Sequence, residues 1–298
     1  MIPFTKAHAC GNDFLIVPAD AVSSLSLSAL TRQLCARTTG LGADGIEFFT
    51  WIRKDKPAAG RIRLLNADGS PAEISGNGTR CAAAWMAREL HAETGDQLHI
   101  ETDAGLRICR IDAVHSTDSA FSVQVTTAMG IPTAAPRTVR LASGLEITGI
   151  EVSIGNPHFV LQVDNAEFAL GGLSWQTLGA ELCSHPCFPN QTNVEFLRIL
   201  NANEVEIRIF ERGVGPTSSS GTGTSASAAA AIAFHDCHSP LTVIAPGGAQ
   251  SVSWAWPNSA PGSGPNSELD SGPNRAPGSE IHLTGPAALI AQGEAWPA

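Results

Sequence analysis

The chain contains no run of about 18 apolar residues, so the sequence predicts no membrane-spanning helix. Residues 1–12 show no basic stretch leading into an apolar one and no cleavage site, so no signal peptide is expected there. Basic residues are few: 18 Lys and Arg stand against 28 Asp and Glu, a formal net charge of -10. That balance argues against nucleic acid or an anionic membrane as partner, since either wants a basic face. The cysteines, Cys10, Cys35, Cys81, Cys109, Cys183, Cys187 and Cys237, are odd in number and irregular in spacing. They fit free thiols better than a disulfide framework and point to a reducing, cytoplasmic setting. What remains is 298 residues, 43% hydrophobic and 15% charged, enough to bury the cores of two ordinary domains.

One stretch occurs twice. Residues 65–79 run from Leu65 through Asn66, Asp68 and Gly69 to Ser75-Gly76-Asn77-Gly78-Thr79, followed by an alanine-rich segment. Residues 210–224 run from Phe210 through Glu211, Arg212 and Gly213 to Ser220-Gly221-Thr222-Gly223-Thr224, again followed by alanines. Superposed, Ser75 falls on Ser220, Gly78 on Gly223, and Asn66 on Glu211. The repeat extends further. Gly11-Asn12-Asp13-Phe14 falls on Gly155-Asn156-Pro157-His158, and Gly45-Ile46-Glu47-Phe48 on Asn193-Val194-Glu195-Phe196. Landmarks recurring in one order imply two similar domains related by a pseudo-twofold axis. Each glycine-rich stretch reads as a loop before a helix of small residues, where free backbone N–H groups suit an anion.

In the first half, 14–17, 46–51, 61–65, 98–101, 106–111 and 121–125 read as strands, and 28–37 and 79–90 as helices. In the second, 150–154, 159–163, 194–200, 204–210, 241–245 and 251–256 read as strands, and 173–183 and 225–234 as helices. Residues 257–280, rich in Pro, Gly, Ser and Asn, read as a low-complexity surface loop. The expected division is a domain over 1–127, a second over 128–280, and a terminal strand in 281–298 docking back on the first.

Gly11-Asn12-Asp13-Phe14, Asn66-Ala67-Asp68-Gly69-Ser70, Ser75-Gly76-Asn77-Gly78-Thr79-Arg80, Gly155-Asn156-Pro157-His158 and Glu211-Arg212-Gly213 together resemble the signature of diaminopimelate epimerases. The resemblance runs from residue 4 to about 290, the Pro-rich insert excepted. It implies an α/β fold of two pseudo-symmetric domains, each a barrel-like mixed sheet around a central helix. It also implies conversion of LL- to meso-diaminopimelate in a cleft between the domains, by proton transfer at Cα with neither cofactor nor metal. A cytoplasmic, commonly homodimeric enzyme of lysine and peptidoglycan-precursor synthesis is expected, with a small amino acid as its partner. Gly76, Asn77, Gly221 and Thr222 would hold the carboxylate on the reacting carbon. Asn12, Asn66, Asn156, Asn193, Glu211 and Arg212 would hold the distal end, with Gly45 as a backbone contact. His158 and Glu211 match residues that tune the reacting pair.

The chain departs from that family at one critical place: Ser75 and Ser220 stand where the resemblance expects the two catalytic cysteines. A serine hydroxyl is a far weaker acid than a thiol of pKa about 8.5, and serine is normally activated by an adjacent base. His158 is the candidate in the motif set. Two other readings share these residues: a same-fold isomerase with a carboxylate base, for which Glu73 and Glu211 are nearest, and an amino-acid-binding paralogue that performs no chemistry. A phosphate-loop reading of 216–225 lacks the lysine that a nucleotide site requires. Taken singly, an Asn before Gly or Pro is a turn residue, His158 a core histidine and Arg212 a solvated or ion-paired cation. Cys10, beside Gly11-Asn12, is the one candidate for a displaced thiol, and Cys81 reads as a buried small residue. Cys183-x-His185-x-Cys187 contains Pro186 and has no second ligand pair, so no metal site is expected.

Overall fold

The computed structural model describes residues 1–72, 75–255 and 279–296. Glu73, Ile74 and nearly all of the Pro-rich segment 257–280 lie outside the described residues. The chain forms two compact units, Met1–Ala128 with Thr284–Ala298, and Met129–Leu283.

The first unit contains β1 (Ile2–Ala9), β2 (Asn12–Pro18), α1 (Leu27–Cys35), β3 (Gly45–Arg53), β4 (Ala58–Asn66), β5 (Pro71–Ala72), α2 (Gly76–Glu89), β6 (Gln97–Thr102), β7 (Gly105–Ser116) and β8 (Phe121–Gly130). The second contains β9 (Thr133–Arg140), β10 (Glu146–Ser153), β11 (Pro157–Gln162), α3 (Trp175–Cys183), β12 (Asn193–Asn201), β13 (Glu204–Glu211), β14 (Gly215–Thr217), α4 (Gly221–Phe234), β15 (Leu241–Ala245) and β16 (Gly248–Ser253). The last strand, β17 (Ile281–Ala295), runs antiparallel to β1 from Ile2↔Ala295 to His8↔Ala288.

The same pairing pattern occurs in both units. In the first, β1–β2 is antiparallel, β2–β3 parallel, β3–β4 antiparallel, β4–β6 parallel and β6–β7 antiparallel. In the second, the matching sequence is β10–β11, β11–β12, β12–β13, β13–β15 and β15–β16, with the same senses. In the first unit β7 goes on to β8, β8 to β17 and β17 back to β1, so the sheet closes into a barrel. Closure leaves that sheet no open edge.

Small side chains explain the helices at the centre of each unit. Cys81, Ala82, Ala83, Ala84, Met86 and Ala87 of α2 are buried against strand residues such as Ile62, Leu64, Ile100 and Val125. In α4, Ala226 and Ala228–Ala231 pack against Val205, Ile207, Ile209 and Val243. A helix with no polar face needs an enclosing surface, and alanine lets that surface approach closely. The outer helices α1 and α3 close separate cores on the strands' other face, around Leu30 and Leu34 and around Leu178 and Leu182.

Both central helices begin earlier than the sequence pattern suggests, at Gly76 and Gly221 instead of Thr79 and Ser225. The glycine-rich stretches are therefore the first turns of the helices. Ser75 (φ -129°, ψ 122°) and Ser220 (φ -146°, ψ 125°) are extended N-caps. The helix expected at 173–183 starts at Trp175 behind a Ser174 cap, and the strand expected at 251–256 is β16, shifted toward its turn at Gly248.

Candidate active site

In the first unit the Ser75 hydroxyl oxygen accepts the Gly78 N–H at 3.1 Å, and the Ser75 carbonyl accepts the Thr79 N–H and the Thr79 hydroxyl, each at 2.8 Å. These bonds satisfy the later N–H groups of the first turn. A helix leaves its earliest N–H groups without intrahelical partners, and the positive end of its dipole faces the same way. Gly76 and Asn77 occupy those positions.

A row of amides lies beside this turn. The Asn12 amide donates to Asp44 Oδ2 at 2.6 Å and its oxygen accepts from Asn77 Nδ2 at 3.2 Å. The Asn77 oxygen accepts from the buried Arg80 guanidinium at 2.6 Å. Asp44 also accepts the Asp13 N–H at 3.1 Å and an Arg37 N–H at 2.7 Å. The Arg37 and Lys6 cations hold the Asp13 carboxyl below its usual range against the opposing effect of burial. Asn66 ends β4 opposite Gly45 and donates to Ser70 Oγ at 3.1 Å. A side chain at Gly45 would meet the Leu65 carbonyl at 2.6 Å, so close strand pairing requires glycine there.

In the second unit Ser220 Oγ accepts the Gly223 N–H at 3.2 Å and the Ser220 carbonyl accepts the Thr224 N–H at 2.9 Å. Ser220 Oγ and Thr222 Oγ1 are 3.5 Å apart, and Thr222 Oγ1 accepts from Asn156 Nδ2 at 3.3 Å. Asn156 Oδ1 is 2.9 Å from His158 Nε2, and His158 Nδ1 is 2.7 Å from Glu195 Oε1. An amide oxygen only accepts, so Nε2 carries a hydrogen and the pair Nδ1···Oε1 shares one more. The ring nitrogens are thus occupied, and among the described residues no hydrogen bond joins His158 to Ser220. The serine–histidine activation that the sequence suggests is not formed in this geometry, because Asn156 and Glu195 take both nitrogens.

Asn193 joins two further motif segments. Its Nδ2 donates to the Pro157 carbonyl at 3.2 Å and its Oδ1 accepts the Arg212 N–H at 2.9 Å. Arg212 Nη1 reaches the Asn190 carbonyl at 2.9 Å. Glu211, half-buried, ends β13 opposite Gly215.

Two residues of this neighbourhood stand in the repeated block but outside the site residues that the motifs suggest: Glu47 and Glu195. Both are fully buried. They hold the same place in the repeat, and a Cβ on Gly78 would run into Glu47 Oε1 as one on Gly223 would come within 2.8 Å of Glu195 Oε1. Burial pushes the Glu47 carboxyl up to about 8, and neither of its oxygens has a hydrogen-bond partner among the described residues. A glutamate repeated inside two apolar strands was the signal available in the sequence.

No cysteine occupies either cap position. Burial pushes Cys81 well above the usual thiol range, Cys35 to about 12 and Cys109 to about 11. Cys10 is buried in the β1–β2 turn at φ 51°. His185 Nδ1 lies 3.0 Å from Cys187 Sγ, but among the described residues no group of three His, Cys, Asp or Glu could hold a metal ion. No helix among the described residues is long and apolar enough to cross a membrane.

The sequence model of the family described as Diaminopimelate epimerase matches residues 4–133 and 150–265. A diaminopimelate epimerase of Teredinibacter turnerae is 36% identical over 264 residues, covering 84% of this chain and 90% of its own. One of Carboxydothermus hydrogenoformans is 31% identical over 306 residues, with 98% of each chain covered. Among solved structures, a probable proline racemase from Agrobacterium radiobacter with bound carbonate superposes with a TM-score of 0.68 at 15% identity, over 99% of this chain and 93% of its own. At that identity the likeness concerns the fold.

Proposed function

The chain belongs to the diaminopimelate epimerase family and is an isomerase of the amino-acid epimerase class, and from that premise we propose that it interconverts LL- and meso-diaminopimelate without a cofactor. The observation that carries this reading is the doubled first turn: two serine-capped helix N-termini, each beside asparagines of its own unit. In this reading the backbone of Gly76, Asn77, Gly221 and Thr222 takes the carboxylate of the reacting carbon. Charge that moves into that carboxylate when Cα loses its proton is then met by oriented N–H groups. Arg212 suits the distal carboxylate, Glu211 the distal ammonium, and Asn12, Asn66, Asn156 and Asn193 serve either. Gly45 adds a backbone contact. Ser75 and Ser220 take the two positions from which a proton leaves and returns, with His158 and Glu211 setting their surroundings.

Deuterium wash-in at Cα tests the reading. LL- and meso-diaminopimelate incubated in D₂O should each gain deuterium at the α carbon, followed by proton NMR. The S75C/S220C variant is assayed beside the unaltered chain. If neither protein exchanges the α hydrogen of either isomer, the substrate assignment is wrong.

A further inference from the structure

We propose that Glu47 is a positioning residue of the N-terminal half-site, exchanging a proton with the Ser75 hydroxyl across the gap left by Gly78. This role presupposes the epimerase reaction proposed above.

Glu47 lies in the middle of β3, between Ile16 of β2 and Leu64 of β4 in register. Its side chain is 0% exposed. A carboxyl in such a place with no hydrogen-bond partner is costly, and an aliphatic residue would fill the volume without that cost. Its counterpart Glu195 has the His158 imidazole at 2.7 Å. In the first unit the place matching His158 is Phe14, which pairs with Gly45 as His158 pairs with Asn193. Glu47 therefore has no imidazole to stabilise it.

Gly78 connects the carboxyl to the cap. A Cβ on that glycine would strike Glu47 Oε1 and would stand 3.3 Å from Ser75 Cβ. Glu47 Oε1 and Ser75 thus face the same small opening. Ser75 Oγ accepts the Gly78 N–H, but its own hydroxyl proton has no acceptor among the described residues. Among the described residues, a donor lacking an acceptor and an acceptor lacking a donor stand across one side-chain-free position. A side-chain rotation or one water closes the gap.

The proton count balances. As the Cα–H bond breaks, its electron pair stays on Cα and delocalises into the substrate carboxylate. The proton passes to Ser75 Oγ while the Ser75 hydroxyl proton passes to the Glu47 carboxylate. Return along the same path, with a solvent deuteron in place of the abstracted proton, regenerates Ser75, Glu47 and the substrate, now labelled at Cα. Burial places the Glu47 carboxyl at about 8, so both forms are accessible near neutral pH. The titratable groups around it hold still: Cys81 of α2 and Cys109 of β7 are kept as thiols by burial, and Arg80 of α2 donates to Asn77. Ile16 and Leu64 carry no charge.

The test compares the unaltered protein with E47Q, whose amide has nearly the same shape. Deuterium wash-in into meso-diaminopimelate should rise with pH to an inflection near 8 in the unaltered protein. In E47Q it should fall by more than about tenfold and lose that inflection, while thermal stabilisation by meso-diaminopimelate persists. Exchange within about twofold of the unaltered protein, with the same pH profile, overturns the proposal. If the unaltered protein exchanges neither isomer, the epimerase reading fails on its own, and infrared spectroscopy still decides the role of Glu47. A protonated-carboxyl C=O band absent from E47Q should shift in S75A. A band indifferent to S75A overturns the Glu47–Ser75 link without reference to any substrate.

Discussion

His158 Nδ1 lies 2.7 Å from Glu195 Oε1, and both side chains are fully buried beneath the first turn of α4. The matching carboxyl beneath α2, Glu47, has Phe14 in place of the imidazole. The repeat thus keeps the backbone frame and the carboxyl while giving each unit a different proton inventory. Environments that separate two equivalent groups in this way are how one fold obtains an acid and a base.

Replacing His158 by Phe should make the second unit resemble the first. Glu195 then loses its partner, and breaking a buried pair typically costs about 3–5 kcal/mol. Urea denaturation at pH 7 measures the loss, and H158F/E195Q, which removes the carboxylate as well, should recover most of the stability. An H158F variant as stable as the unaltered protein would contradict this account.

Glu47 makes a separate prediction about stability. Its folded carboxyl sits at about 8 against an ordinary value of 4.5. The folded state therefore holds more protons than the unfolded state between these values. Stability contributed by the neutral form is fully present below about 4.5 and is lost as pH rises through 8, at up to about 1.4 kcal/mol per pH unit. E47Q carries no such proton. Its urea midpoint should match the unaltered protein near pH 5 and exceed it at pH 8.5.

Gly78 and Gly223 should resist a substitution that helices ordinarily welcome. Alanine is favoured over glycine inside a helix by about 1 kcal/mol. Here a Cβ meets Glu47 Oε1 or, at 2.8 Å, Glu195 Oε1. Overpacking of this kind costs about 1–3 kcal/mol. G78A should therefore be destabilised, and G78A combined with E47A should be more stable than the two single effects predict. Thermal melts of the four proteins in that cycle read the coupling directly.

Much of this was legible in the sequence because the chain states it twice. The repeated Ser-Gly-x-Gly-Thr, the Gly-Asn turns and the Asn193 block located the central helices, the flanking strands and the amide rows. The helix starts were misplaced because glycine is a poor helix former and reads as loop. The Ser75 and Ser220 caps, visible only once the backbone is extended there, draw Gly76–Gly78 and Gly221–Gly223 into the first turn. β1 and β9 are not legible in the sequence, since each carries a proline that weakens a strand pattern (Pro3 and Pro136). Glu47 and Glu195 stood in an aligned block, but sequence spacing does not show that a glycine one helix away opens onto them.

The serine caps give the sharpest contrast between stability and rate. Ser75 Oγ and Ser220 Oγ each accept a first-turn N–H, at 3.1 and 3.2 Å. Removing such a cap costs about 1 kcal/mol, so S75A and S220A should each lose that much. Cysteine at the same positions is a poorer acceptor and should also lose some stability. Its thiol, however, starts near pKa 8.5 and falls further at a helix N-terminus, where a serine hydroxyl stays protonated. S75C/S220C should therefore exchange the α hydrogen of diaminopimelate at least about a hundredfold faster than the unaltered chain, while melting at lower urea. S75A/S220A should melt early too, but without the gain in exchange. If the cysteine variant leaves the rate unchanged, Ser75 and Ser220 are helix caps and nothing more; if it gains stability, the capping account fails.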